Sequence, residues 1–240
     1  MVLALWIWAW RKYEKGSPVR KMAFLSFLFI IVEAAIGAGL VLTGNTATNM
    51  TATRPIWMMA HLITTFSLLA VLSLTIWYAG GGKRFTFKNT PSVVTLLFAL
   101  AVVGIFFVGA SGSLAALSSM LFPSGTLAEG MAKDFAASSH FLLRLRVSHP
   151  IVAVITGVFL IFLASWLRGR AKESAAVKRW SDRLSILVII QLIAGAATLL
   201  MLSPIVMQLI HLLLADLVWI AFVLMTAAFL GEEQPIALST

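Results

Sequence analysis

Six long apolar stretches, at about 22–43, 57–79, 91–112, 147–167, 184–202 and 205–230, dominate this chain of 240 residues. Each comes to roughly 20 residues, the length a helix needs to cross a hydrocarbon core of about 30 Å. In lipid the backbone must satisfy its own polar groups, so segments of this kind fold as helices. With 60% apolar and 11% charged residues and a mean hydropathy of +0.99, the chain falls outside the soluble globular class. The expected fold class is an all-α integral membrane protein of six full transmembrane helices plus a partial N-terminal one. The opening run, residues 1–10, carries no charge but is too short to span.

The net charge of +9 raises the question of nucleic acid, and the placement of the charges answers it. Of 18 Lys and Arg, all but Arg54, Lys133, Arg144 and Arg146 fall within 11–21, 83–88 and 168–183. Basic loops on alternate connections follow the positive-inside rule. They place those loops and the C-terminal tail in the cytoplasm, in a multi-pass protein of the cell (inner) membrane, with no role for nucleic acid. The chain has no cysteine, which removes disulfides and thiolate-held metals from consideration.

The outer segment 113–146 is the longest connection. Leu114, Leu117, Met120 and Leu121 recur at helical spacing, Pro123 interrupts the run, and "TLAE" at 126–129 has the form of a capping box. Two short amphipathic helices over the outer face are expected there, as a lid or as a packed structural loop.

An internal repeat organises the rest. "IVEAAIGAGLVLTG" at 31–44 resembles "IIQLIAGAATLLML" at 189–202, and "PIWMMAHLITTFSLL" at 55–69 resembles "PIVMQLIHLLLADLV" at 204–218. Two related half-bundles are expected: residues 1–112, incomplete, and residues 113–240, comprising the outer loop and a C-terminal four-helix half. "SHPIVAVITGVFLIFLASWLRGR" at 148–170 is a whole helix, whereas "VLALWIWAWRK" at 2–12 matches only its inner end. Aligning Trp10 with Trp166 puts the counterpart of His149 upstream of Met1. Three readings of the first half stay open: a start further upstream, a partner that fills the gap, or a first segment that lies elsewhere.

Three of the four histidines share one depth. His61, His149 and His211 lie 22, 19 and 21 residues from the first charge at the basic border, a rise of roughly 30 Å each. Imidazoles on facing helices of a bundle suit axial ligation of a haem iron. His149 and His211, both in the complete half, form the preferred pair, with His61 as one member of a second. His140 reads as a surface residue of the outer loop. Arg144 and Arg146 stand beside His149 at the outer rim, where guanidinium groups pair with haem propionates or simply snorkel to the interface. Glu33 and Asp216 are intramembrane carboxylates and so functional candidates.

On these residues the chain resembles the haem A synthase family. "FAASSHFLLRLRVSHPIVAVITG" with "SPIVMQLIHLLLADLVWIAFVL" is similar to its second half, and "AHLITTFSLLAVLSLTIWY" to the His-bearing fourth helix of its first half. The resemblance implies eight helices in two halves. It implies a haem b between His149 and His211, and the substrate haem O, converted to haem A by oxidation of a ring methyl to a formyl group, at His61. The family's other first-half His and its nearby Glu have no match, nor do the cysteines of some members, so no catalytic residue is carried over. Partners compatible with the resemblance are a second copy of the chain, a haem O synthase and a respiratory complex. Two other classes stay in view. One is a catalytically silent haem b subunit for electron transfer or assembly. The other, a transporter, requires polar groups at mid-membrane that the sequence scarcely has.

Overall fold

A computed structural model describes residues 1–46, 51, 53–85, 87 and 90–232. The expected tail at 233–240 lies outside them, as do parts of the outer connection after Thr43 and of the basic connection at 83–88. The described residues form α1 (Val2–Lys12), α2 (Pro18–Leu42), α3 (Thr53–Ala79), α4 (Ser92–Leu121), α5 (Leu127–Phe135), α6 (Phe141–Arg146), α7 (Ser148–Arg170), α8 (Ala175–Leu200) and α9 (Ile205–Leu230). Six helical segments are long and apolar enough to cross a membrane, as expected, with α6 and α7 together making one of them. The chain is an all-α, multi-pass membrane protein.

Helix ends follow local chemistry. Ser17 caps α2 through the Arg20 amide with Pro18 in the first turn, where its missing N–H costs nothing. Ser174 caps α8 through the Val177 amide. That cap starts α8 nine residues ahead of the expected 184, so its first turns, with Lys178, Arg179, Asp182 and Arg183, are helical and charged rather than loop.

The outer segment corrects the expectation of two separate short helices. Leu114 to Leu121 belong to α4, which runs unbroken for 30 residues. At 1.5 Å per residue that is roughly 45 Å, so its last turns rise clear of the hydrocarbon layer. Leu117 and Ser118 are buried there, which explains the helical spacing without a helix break. The second expected helix is α5, capped by Thr126 through the Glu129 amide, and Glu129 accepts from the Gly125 amide. The short α6, capped by His140, was not anticipated.

Packing divides the helices into two arrangements. α4, α7, α8 and α9 close a ring, each against the next, with α4 returning to α9. α1, α2 and α3 form an open row that joins the ring through contacts of α3 with α4 and α9. The seam is aromatic. Trp219 of α9 stacks on Phe66 of α3 and Phe222, lies against Phe106 of α4, and donates its indole N–H to the Phe66 carbonyl at 2.6 Å. The core is concentrated on the inner half of α9, where Phe222, Met225 and Ala228 are almost fully buried.

The repeat is visible in the backbone. α2 ends with the Thr43 amide bonded to the Gly39 carbonyl and the Gly44 amide to that of Val41, and α8 ends with the Met201 amide bonded to the Ala197 carbonyl and the Leu202 amide to that of Leu199. Each turn then passes through positive φ: at Gly44 (70°) in the first case, at Leu202 (62°) and Ser203 (57°) in the second.

Candidate haem-ligand site

α7 and α9 bring His149 and His211 together from opposite sides of the ring. Their imidazole centroids are 6.3 Å apart with planes at 85°. Metal–imidazole bonds of about 2 Å on each side, added to the two ring radii, give nearly that span, so the separation suits one metal ion between the rings. Each ring is seated against a glycine of an adjacent helix. A Cβ at Gly112 of α4 would come within 2.9 Å of His149 Cε1, and one at Gly195 of α8 within 2.9 Å of His211 Cε1. Only glycine allows approach this close.

Second partners orient the rings. Ser111 Oγ is 3.2 Å from His149 Nδ1, leaving Nε2 unclaimed. Gln191 Nε2 makes a long 3.4 Å contact to His211 Nε2, while His211 Nδ1 and Gln191 Oε1 are buried without a hydrogen-bond partner. A buried imidazole nitrogen without a partner, on one of two rings whose centroids are 6.3 Å apart, suits a metal-ligand role. These residues fit a haem held by two histidines.

His61 stands alone in the open row. Its Nδ1 is buried, makes no well-aligned hydrogen bond, and lies 3.2 Å from Glu33 Oε1 on α2. The ring is 45% exposed while Glu33 is 13% exposed. Thr64 donates to Glu33 Oε2 and Thr65 to Oε1. Gly37, one turn above Glu33, is the α2 residue facing His61 Cε1, at 3.8 Å from where a Cβ would sit. Glu33 and Gly37 correspond in the repeat to Gln191 and Gly195, but Glu33 meets Nδ1 of His61 whereas Gln191 meets Nε2 of His211.

The remaining candidates fall elsewhere. His140 accepts the Leu142 amide and packs between Phe122 and Phe141 in the outer loop. Arg144 donates to the Ala137 carbonyl from an exposed position. Arg146 pairs with Asp134 at 2.7 Å, both side chains about 15% exposed, and reaches the Gly130 carbonyl, so it ties α5 to α6. Asp216 Oδ1 is buried and unpartnered on α9, more than a turn from His211. Among the described residues no group of three or more His, Cys, Asp or Glu forms a metal cluster. Sequence reasoning overlooked Ser111, Gly112 and Thr64/Thr65. It quoted Gln191 and Trp219 without a role, although the repeat aligning Gln191 with Glu33 was the available signal.

A cavity of about 280 Å³ lies at the basic end between α7 and α8, lined by Ser165, Arg168, Lys178, Ser181 and Asp182 among others. It is roughly 28 Å along α7 from His149 and takes no part in this site.

The family model described as COX15-CtaA, cytochrome oxidase assembly protein, matches residues 1–223. Two proteins of Thermus thermophilus strains, each named protoheme IX farnesyltransferase, are 39% identical over 229 residues, 95% of this chain and 37% of theirs. A heme A synthase of Alkalihalophilus pseudofirmus is 26% identical over 238 residues, 94% of this chain and 74% of that protein. The chain therefore spans little more than a third of the length of its Thermus relatives, at 37%. No solved structure matches.

Proposed function

The chain belongs to the COX15-CtaA family of cytochrome oxidase assembly proteins, and from that premise we propose that it is a haem A synthase-like membrane protein. In this reading His149 and His211 hold a haem b, and the substrate haem O meets His61, where one ring methyl is oxidised to the formyl group of haem A. The bound haem b supplies one-electron redox chemistry. The chain's own residues do the rest: Ser111 and Gln191 orient the two imidazoles, Gly112 and Gly195 set their approach, and the ring of apolar helices excludes water. Exposed Arg144 at the outer rim is suited to haem propionates. Arg146, engaged with Asp134, holds the loop above them. The closed ring favours a division of the halves ahead of α4 rather than at residue 112.

The observation that carries the reading is the facing pair His149 and His211, with the same seat repeated at His61. The relative named heme A synthase, matched over 94% of this chain, supports the same function. The cytoplasmic tail and cell-membrane location follow from the placement of basic residues. A second copy, a haem O synthase or a respiratory complex remain candidate partners. The test is the haem complement of the purified protein: one b-type haem lost in His211→Ala, and a second haem, of O or A type, lost in His61→Ala. A haem complement unchanged in His211→Ala would overturn the ligand pair.

One observation favours a second reading, a catalytically silent haem b subunit. Among the described residues no second histidine faces His61. A single b-type haem per chain, insensitive to His61→Ala, would establish it.

A further inference from the structure

Glu33 is the most unusual side chain in the open row: a carboxylate inside a membrane helix with no Lys or Arg paired to it among the described residues. Both oxygens are occupied by hydroxyls of α3, Thr64 on Oε2 and Thr65 on Oε1. These contacts hold the carboxylate towards the third group facing it, His61 Nδ1 at 3.2 Å. The Nδ1–Cε1 edge of the imidazole lies towards Glu33 and Gly37 of α2, which leaves Nε2 as the free nitrogen. At the repeated position of the ring the neighbour is Gln191, neutral and in long contact with the other nitrogen of its imidazole, His211 Nε2.

We propose that Glu33 is a positioning residue: it holds the Nδ1 proton of His61, directs Nε2 to the iron of the substrate haem, and makes His61 a more strongly donating ligand than His211. The inference rests on the proposed function and deepens it at the substrate site. A ligating imidazole whose other N–H points at a carboxylate gains basicity and a fixed orientation, and a neutral amide supplies far less. The two halves, built on one plan, thus differ in the charge behind the imidazole. The first favours the ferric state of the haem it holds, and the second is left closer to neutral.

The test uses the full chain, purified in detergent and reconstituted with haemin. In the ferrous protein a haem bound by His61 alone gives a five-coordinate iron–histidine stretching band in resonance Raman, which the two-histidine site does not give. That band is expected to vanish in His61→Ala, to move to lower frequency in Glu33→Gln with a rise in the midpoint potential of the same haem, and to stay near its original position in Glu33→Asp. Gln191→Glu is expected to lower the potential of the other haem. Should Glu33→Gln fail to accumulate, Thr65→Val is read instead. It frees the oxygen facing His61, so the band moves to higher frequency. A band and potential unchanged in whichever variant is read overturn the role of Glu33 while leaving the haem sites standing. A haem signal indifferent to His61→Ala overturns the first-half site and this inference with it.

Discussion

The two halves of the molecule carry the same local plan in different surroundings. In the ring, α4, α7, α8 and α9 surround His149 and His211, and two glycines seat the imidazoles so closely that an added methyl would have to displace the imidazole ring. In the row, α1, α2 and α3 leave the His61 ring 45% exposed, and Gly37 stands at ordinary contact distance from it. Tight enclosure suits a resident group, whereas an open face suits a molecule that must enter and leave. The carboxylate behind His61 and the amide behind His211 sharpen the same contrast.

The comparison breaks most severely at the ligands. His211→Ala should abolish the ring's haem, reducing the complement by one per chain in an extracted-haem assay while the protein still inserts. If instead the row's haem disappears with it, the halves are not independent sites.

The seam gives the next largest effect. Trp219→Ala removes a large buried side chain and leaves a cavity, at a cost of roughly 3 kcal/mol or more. Trp219→Phe keeps most of the packing but loses the bond to the Phe66 carbonyl, for about 1 kcal/mol. Unfolding in detergent followed by denaturant should rank the two in that order. Equal losses would mean that the hydrogen bond, rather than packing, joins row to ring.

The glycines should separate the halves without unfolding either. Gly195→Ala puts a methyl 2.9 Å from His211 Cε1, so the ring must turn, and the low-spin electron paramagnetic resonance signal of the bound haem should shift. Gly37→Ala adds a methyl at 3.8 Å from His61 and should leave haem binding at that site intact. A large effect of Gly37→Ala would show that the row is as tightly fitted as the ring.

Smaller effects are expected at the turns. Leu202→Gly replaces a leucine held at φ 62° with the residue type found at the equivalent Gly44, relieving strain of about 1 kcal/mol. Part of that gain is offset by the flexibility of glycine in the unfolded chain, so thermal unfolding should shift slightly upward. In the outer loop, Lys133 chiefly, with the Gly125 amide, holds the Glu129 carboxyl below its usual range. Its contribution to α5 is therefore complete above the ordinary carboxylate pKa and fades as pH falls through the lowered value. Amide exchange in α5 should accelerate under acid conditions in the parent protein, and much less steeply with pH in Glu129→Gln.

Much of this architecture was legible in the residues because the membrane imposes a length. Runs of about twenty apolar residues could be little else than spans, and α9 falls at 205–230 as expected. Counting from the charged border gave His61, His149 and His211 an expected common depth. What escaped was whatever depends on side chains from other helices. Leu114 to Leu121 have a spacing that fits a separate surface helix or the end of a long one, and only the burial of Leu117 and Ser118 decides between them. Arg146 reads as a rim cation until Asp134, twelve residues earlier in sequence, is seen to meet it. Glu33 was recognisable as costly in lipid, yet the hydroxyls that satisfy it come from α3, some thirty residues away.

The depth at which α9 is buried also bears on biogenesis. This is the last helix of the described chain to leave the ribosome, and it carries both His211 and Trp219. Until it inserts, α3 and α4 present the surfaces destined for it to lipid or to insertion factors, and His149 has no opposite number. Synthesis proceeds from the N-terminus, so a single late step delivers His211 and the lock between row and ring together. A nascent chain that stalls short of α9 has neither the facing pair of histidines nor the aromatic seam that holds its halves in register.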